Sequence, residues 1–295
     1  MILRTLGAGA GGGLPQWNCG CPQCRAAREG RIPAMTQSAL AVSVDGADWL
    51  LLNASPDLRL QLAATPALHP RALRDSPVKA VLVTNADVDH ITGLLSLREQ
   101  TGFRLYATAA TQQILAENSV FGVLNPELVR RETIALDQPF EPLPGLTVTA
   151  WAVPGKVALY LEGDAPDTQA MGEQTIALTL QAKGRVVHYL PACATLPDWL
   201  VDRLQGADAV YFDGTVYADD DMARAGTGPK TGRRMGHLPM AGADGSLARL
   251  AHLTGRRRYI HINNTNPALL PGSIERAAVL AAGWELAADG EEITL

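Results

Sequence analysis

The sequence predicts an α/β fold. Short apolar, β-branched runs ended by turn residues alternate with stretches whose apolar residues recur at helical spacing, and this alternation covers all 295 residues. The composition agrees: 47% hydrophobic and 19% charged residues give an ordinary globular proportion, enough to bury a sizeable core.

The first candidate strand, 2–6, runs into a glycine-rich turn and has none of the charged, apolar and small-residue zones of a signal peptide. Candidate strands 39–44 and 49–53 flank Asp45-Gly46-Ala47-Asp48, a hairpin signal. Strands at 80–83, 105–107 and 146–152 follow, and then 175–181 and 186–190, which flank a second turn signal, Lys183-Gly184. The last are 209–212, 258–262 and 293–295. Helices are expected at 57–64, 90–100, 109–118, 197–206, 243–252 and 273–282, each with at least three apolar residues at helical spacing. The last of these opens on Ser273 as N-cap with Glu275 in its first turn, and it stops at Gly283. Glycine and proline cluster at 137–145 and again at 223–245, and the second cluster reads as a long functional loop. No repeat of fixed period is visible, and the length allows one large α/β domain or two small ones.

Charge and hydropathy remove several classes of function. With 25 basic against 30 acidic residues, and the basic ones scattered apart from Arg256-Arg257-Arg258, the chain carries no footprint for a phosphate backbone. No apolar run approaches the ~20 residues of a membrane helix. Only four cysteines occur, and Cys19, Cys21 and Cys24 are too crowded for ordinary disulfide pairing. That pattern favours a reducing compartment, here taken as the cytoplasm, and a bound metal.

Three constellations carry chemistry. The three thiolates of Cys19-Gly20-Cys21-Pro22-Gln23-Cys24 can wrap one tetrahedral ion, with Zn2+ the natural occupant, and they demand a fourth ligand. The rival reading is a chance cluster of buried or redox thiols. Among distant histidines, His237 lies in the glycine-rich loop, whereas His69 and His252 fall on expected helices or their flanks. The second constellation follows the strand ending at Val83: Asn85, Asp87, Asp89 and His90 gather where a strand enters a helix, and the two carboxylates call for a cation or donor between them. Acids that merely stabilise a helix N-terminus are the competing explanation. In the third, a late strand runs into His261, Asn263, Asn264 and Asn266, and an earlier one into Asp213-Gly214-Thr215, which a plain turn explains equally well.

Asn85-Ala86-Asp87-Val88-Asp89-His90-Ile91-Thr92-Gly93 resembles an altered form of the metallo-β-lactamase pattern His-x-His-x-Asp-His-x-x-Gly. Over essentially its full length the chain is similar to the pyrroloquinoline quinone (PQQ) biosynthesis protein B family. The segments that carry this are Gly7 to Cys19, Phe212-Asp213-Gly214-Thr215, and His261-Ile262-Asn263-Asn264-Thr265-Asn266-Pro267. The resemblance implies a single domain, 1–295, folded as an αββα sandwich, with the metal site between the edges of its sheets and a cysteine-rich knuckle around 17–25. Related phosphodiesterase-like proteins imply a structural zinc held by Cys19, Cys21, Cys24 and His237.

Departures from the hydrolytic pattern shape the expected mechanism. Its first two histidines are Asn85 and Asp87 here, its next histidine loop reads Val153-Pro154-Gly155-Lys156, and its bridging aspartate is replaced by Ala192. A di-zinc hydrolytic site therefore lacks most of its ligands. Asp89, His90 and His261 survive, and one carboxylate with two imidazoles is the composition of the triad that holds non-haem Fe(II). Asp87 and Asp213 are expected to orient the imidazoles or to take a phenolic proton, and Asn85, Asn263 and Asn264 to line the site. Lys230, Arg233 and Arg234 are candidates for holding substrate carboxylates, against the plainer reading of a solvated basic loop. Cys193 is expected to be a packed thiol. The resemblance implies an Fe(II)- and O2-dependent hydroxylation of the tyrosine ring of a crosslinked Glu-Tyr diamino acid. The alternatives are a carrier of PQQ or its precursor and, behind it, a residual zinc hydrolase. Candidate partners are that small aromatic substrate or PQQ, other enzymes of PQQ biosynthesis and a second copy of the chain.

Overall fold

Runs such as Trp49-Leu50-Leu51-Leu52 are apolar at every position because the strand they form is buried on both faces. Leu50 and Leu52 point into a core between two sheets, while Trp49 and Leu51 point outward under helices. The central strands share that arrangement in the computed structural model, which describes residues 1–295. The strands are β1 (Ile2–Gly7), β2 (Ala39–Ser43), β3 (Trp49–Leu52), β4 (Val78–Leu82), β5 (Phe103–Thr108), β6 (Val129–Ile134) and β7 (Pro139–Leu143), then β8 (Leu146–Ala152), β9 (Ile176–Ala182), β10 (Arg185–Leu190), β11 (Ala209–Asp213), β12 (Arg256–Ile260), β13 (Trp284–Leu286) and β14 (Glu292–Thr294).

One sheet has the order β14-β1-β2-β3-β4-β5-β6 and the other β13-β12-β11-β10-β9-β8-β7. Each begins as an antiparallel meander and continues as four parallel strands, β3 to β6 in one and β10 to β13 in the other. The helices are α1 (Pro22–Arg28), α2 (Leu58–Ala64), α3 (Val88–Ile91), α4 (Ala109–Glu117), α5 (Asp198–Arg203), α6 (Asp221–Arg224), α7 (Gly232–Met235), α8 (Ser246–Arg249) and α9 (Ile274–Ala281). Leu58, Ile91 and Leu115 seal α2, α3 and α4 against the outer face of the first sheet. Cys24, Leu200 and Val279 do the same for α1, α5 and α9 on the second. The result is the four-layer αββα sandwich. No helix is long and apolar enough to cross a membrane.

Both turn signals form hairpins, and Lys183 and Gly184 take φ of 52° and 73°, the left-handed pair that a two-residue hairpin needs. The expected helix at 90–100 is instead the single turn of α3 followed by 3-10 turns over Thr92–Leu97. Gly93 passes so close to the first sheet that a Cβ there would lie 2.1 Å from the Ser55 carbonyl oxygen, and its N–H bonds the Ala54 carbonyl at 2.9 Å. The helix expected at 243–252 shrinks to α8, and the loop at 223–245 contains the one-turn α7. The proline-bearing segment at 137–145 contains edge strand β7, with Pro139 and Pro142 in it.

Candidate metal centre

The polar residues of the second and third constellations meet because they leave the same end of both sheets. β4 delivers Thr84 to His90, β11 ends on Asp213, and β12 leads into His261. The sheets are pinned together there: Ile176 donates to the Thr84 carbonyl at 3.0 Å, and Ala10 and Ile262 join the chain beyond β1 to the chain beyond β12. These bonds flank His261, whose φ of 59° is left-handed, a conformation uncommon for residues other than glycine.

Asp89, His90 and His261 place one donor atom each within 4.8 Å of one another. His261 Nε2 lies 3.0 Å from Asp89 Oδ2, and His90 Nε2 lies 3.9 Å from the same oxygen. His90 Nδ1 is 2.7 Å from Asn85 Oδ1, so the ring proton sits on Nδ1 and Nε2 carries the lone pair. That Nε2 is buried and has no partner. A buried lone pair facing a carboxylate and a second imidazole fits a bound cation. Burial opposes the charge on Asp89, yet His90 and His261 beside it hold its carboxyl below the usual range. For His90, burial dominates and pushes the imidazole down.

Behind His261 stands a group whose role the sequence did not reveal. Thr215 Oγ1 is 2.7 Å from Asp213 Oδ1, to which it donates, and 2.9 Å from His261 Nδ1, from which it accepts. The other Asp213 oxygen accepts from His237 Nδ1 at 2.7 Å and from the Cys193 backbone N–H at 3.0 Å. Asp213 is fully buried, so it orients two imidazoles and does not itself line the cavity. Its carboxyl is opposed by burial and held down by His237. His237 stacks on His261, with ring centroids 5.2 Å apart.

This placement corrects the expected ligand set of the knuckle. His237 is not with the cysteines: its segment is laced to the second sheet by Leu238 N–H to the Cys193 carbonyl (2.8 Å) and Met240 N–H to the Val216 carbonyl (3.0 Å). The three sulfurs do converge. Cys21 caps α1, its Sγ accepting from the Cys24 N–H, and Cys19 Sγ and Cys24 Sγ accept from the backbone N–H groups of Cys21 and Gln16. The fourth direction is filled by Asn264, whose side-chain amide lies 3.2, 3.6 and 3.3 Å from the sulfurs of Cys19, Cys21 and Cys24. Asn264 therefore does not line the metal pocket, as expected of it, although only Ile262 and Asn263 separate it from His261.

The cavity over Asp89 measures about 260 Å³ and is lined chiefly by polar groups, among them Asn85, Asp87, His237, Asn263, Lys230 and Arg234. Asp87 accepts from the Leu159 N–H at 3.2 Å and receives no cap bond from α3. Glu162, which sequence reasoning did not single out, is flanked by Lys156 at 2.7 Å and Arg234 at 2.9 Å, joining the 155–162 segment to α7 over the cavity. Arg234 is thus engaged by an acid of the chain itself. Arg233 turns away: it is exposed, does not line the cavity, and only its backbone N–H is held, by Asp219. Cys193 is a buried thiol donating to the Thr195 carbonyl at 3.1 Å, and burial pushes it up, which keeps it inert.

A sandwich of this topology with a pocket at one end of both sheets defines a class, and the model of the beta-lactamase superfamily domain matches residues 48–262. The crystal structure of zinc-bound PqqB from Methylobacterium extorquens superposes with a TM-score of 0.98 at 52% identity, each chain covered completely. Coenzyme PQQ synthesis protein B of Ruegeria pomeroyi is 54% identical over the whole of both chains, and that of Methylobacterium sp. 55% identical. The chain belongs to the coenzyme PQQ synthesis protein B family, within the beta-lactamase superfamily. A diphosphatase of the PhnP family shares the fold at a TM-score of 0.70 and 20% identity.

Proposed function

We propose that this chain acts in PQQ biosynthesis as an Fe(II)- and O2-dependent hydroxylase, placing oxygen on the tyrosine ring of a crosslinked Glu-Tyr diamino acid. The observation that carries this reading is the donor set: one carboxylate and two imidazoles, with the buried Nε2 of His90 lacking any partner. The names of the full-length relatives support the pathway. Asp89, His90 and His261 would hold the iron, which when bound supplies the binding and activation of O2. Asn85 and Thr215 keep both imidazoles in the tautomer that offers Nε2. Asp213 holds the Nδ1 proton of His237, leaving Nε2 of that ring to meet the substrate. Asp87, partly exposed on the cavity wall, accepts the hydrogen bond of the ring hydroxyl. Lys230 meets a substrate carboxylate. At the knuckle, three thiolates fit Zn2+, and Asn264 turned with its oxygen inward would close a tetrahedral set.

The test is to load anaerobically purified protein with Fe(II), add the diamino acid and O2, and weigh the product. A mass gain of one or more oxygen atoms that disappears in His90→Ala supports the hydroxylase. Unchanged substrate that binds tightly points to the carrier, and zinc-dependent hydrolysis to the residual hydrolase.

A further inference from the structure

A second groove, about 940 Å³, opens from the metal cavity and runs to the cysteine knuckle. The two share Gly11, Lys230, Met235 and Asn263 as walls. At their junction Gly11 has no side chain, and a Cβ there would stand 3.5 Å from the Asp89 carboxylate, so the groove leads directly to the triad. Its charges are one-sided. Arg25, Arg224 and Lys230 line it and no carboxylate does, in a chain whose acids outnumber its bases, 30 to 25. Arg224 is taken by Asp220 at 2.8 Å. Arg25 in α1 and Lys230 before α7 are exposed and form no ion pair with the chain's acids. Amide side chains, Asn18 and Gln16, also line the groove and add donors.

We propose that this groove is a carboxylate-binding subsite, in which Arg25 and Lys230 hold the acid groups of an extended polycarboxylated aromatic whose ring lies at Asp89, His90 and His261. The subsite rests on the reading above that the ligand belongs to PQQ synthesis, and it gives the knuckle a part in ligand binding, because Cys21 caps α1 and Arg25 sits on that short helix, one residue after Cys24. Arg25 and Lys230, of which only Lys230 also lines the metal cavity, give a groove free of acids two cationic holds and so favour a ligand with more than one carboxylate. They also exclude the uncharged ester of the same molecule.

The experiment uses the full zinc-containing chain and PQQ, a tricarboxylate, as probe, titrated by calorimetry against the wild type, Arg25→Gln, Lys230→Gln and the double variant, with PQQ trimethyl ester in parallel. Each single change is expected to raise Kd roughly 10-fold and the double change more than 100-fold, as loss of one and two charge-assisted hydrogen bonds. Arg25→Lys should recover most of the loss, the ester should bind weakly to all forms, and zinc content should not change. Equal Kd in wild type and double variant, or an ester that binds as well as the acid, overturns the subsite. Loss of zinc in Arg25→Gln also overturns it, because Arg25 would then serve the knuckle. A wild-type chain that does not bind PQQ overturns the ligand reading on which the subsite rests.

Discussion

His90 Nδ1 and Asn85 Oδ1 are 2.7 Å apart, and this bond decides which nitrogen of His90 faces Asp89 and His261. Asn85 stands where the hydrolytic pattern has a histidine ligand, so one substitution both removes a ligand and supplies an orienting acceptor. Asn85→Leu should weaken metal binding at the triad by roughly 10–100-fold, while Asn85→Asp, which keeps the acceptor, should retain most of it. Competition against a chelator of known affinity reads both, with Co2+ as a spectroscopic stand-in for iron.

Thr215 links Asp213 to His261 through a single hydroxyl. Thr215→Val keeps the shape but leaves a buried carboxylate oxygen and the His261 Nδ1 proton short of a partner, so metal affinity should fall roughly 10–100-fold with melting lowered as well. Thr215→Ser, which keeps the hydroxyl, should restore affinity; an equal loss in Thr215→Ser would show that the hydroxyl bonds alone do not carry the effect.

The knuckle should unfold locally when the zinc proposed for it is removed. Cys24→Ser is expected to lose zinc and to melt at lower temperature, since the buried α1 face packs through Cys24 into the second sheet. Asn264→Leu should also lose zinc and Asn264→His keep it. Zinc retained in Asn264→Leu would place the fourth ligand elsewhere.

Gly93 has no room for a methyl group, because the clash would be with backbone. Gly93→Ala should destabilise the fold by about 1–3 kcal/mol and shift His90, three residues earlier, weakening metal binding in step. Denaturant midpoints and metal titration on the same samples test the coupling.

A pH effect is expected from His188, away from the metal centre. It is buried beside Trp151 and bonded to Thr179, and burial, helped by Arg203, pushes its imidazole down to about 4 from 6.5. Above pH 6.5 the ring is neutral in both states and the fold carries no penalty. As pH falls from 6.5 to 4 the unfolded chain takes up a proton that the folded one refuses, and stability declines by up to about 3 kcal/mol. Urea midpoints across this range should fall less steeply in His188→Gln.

Much of this architecture is legible in residue order. Fully apolar runs such as Leu50 to Leu52 and the turn pairs Asp45-Gly46 and Lys183-Gly184 identify the central strands directly, because both sheet faces are covered. Strand β6 escapes notice because Arg130, Arg131 and Glu132 give it the polar look of an edge, and β13 is only three residues long. At the site, Asp89, His90 and His261 are recognisable as surviving ligands of a familiar pattern. Which residue completes the cysteine cluster is not: His237 and Asn264 are both distant in sequence from Cys19, and only the bonds lacing residues 238–240 to the second sheet send His237 to Asp213. Thr215 was in view beside Asp213, yet a hydroxyl acquires its role only when two strands bring it against His261.

Asn264 lies only three residues along the chain from His261, so the two candidate metal centres should respond to each other. With zinc bound there as proposed, a chelator strong enough to strip it from the thiolates would release the Asn264 side chain and leave backbone bonds alone to hold His261 in its left-handed turn. Iron added back afterwards would meet a less firmly held triad, so reconstitution yields should report repair of the knuckle before they report affinity of the triad. Preparations should therefore be graded by thiolate-bound zinc first, and a batch with half its knuckles empty should behave as half a batch.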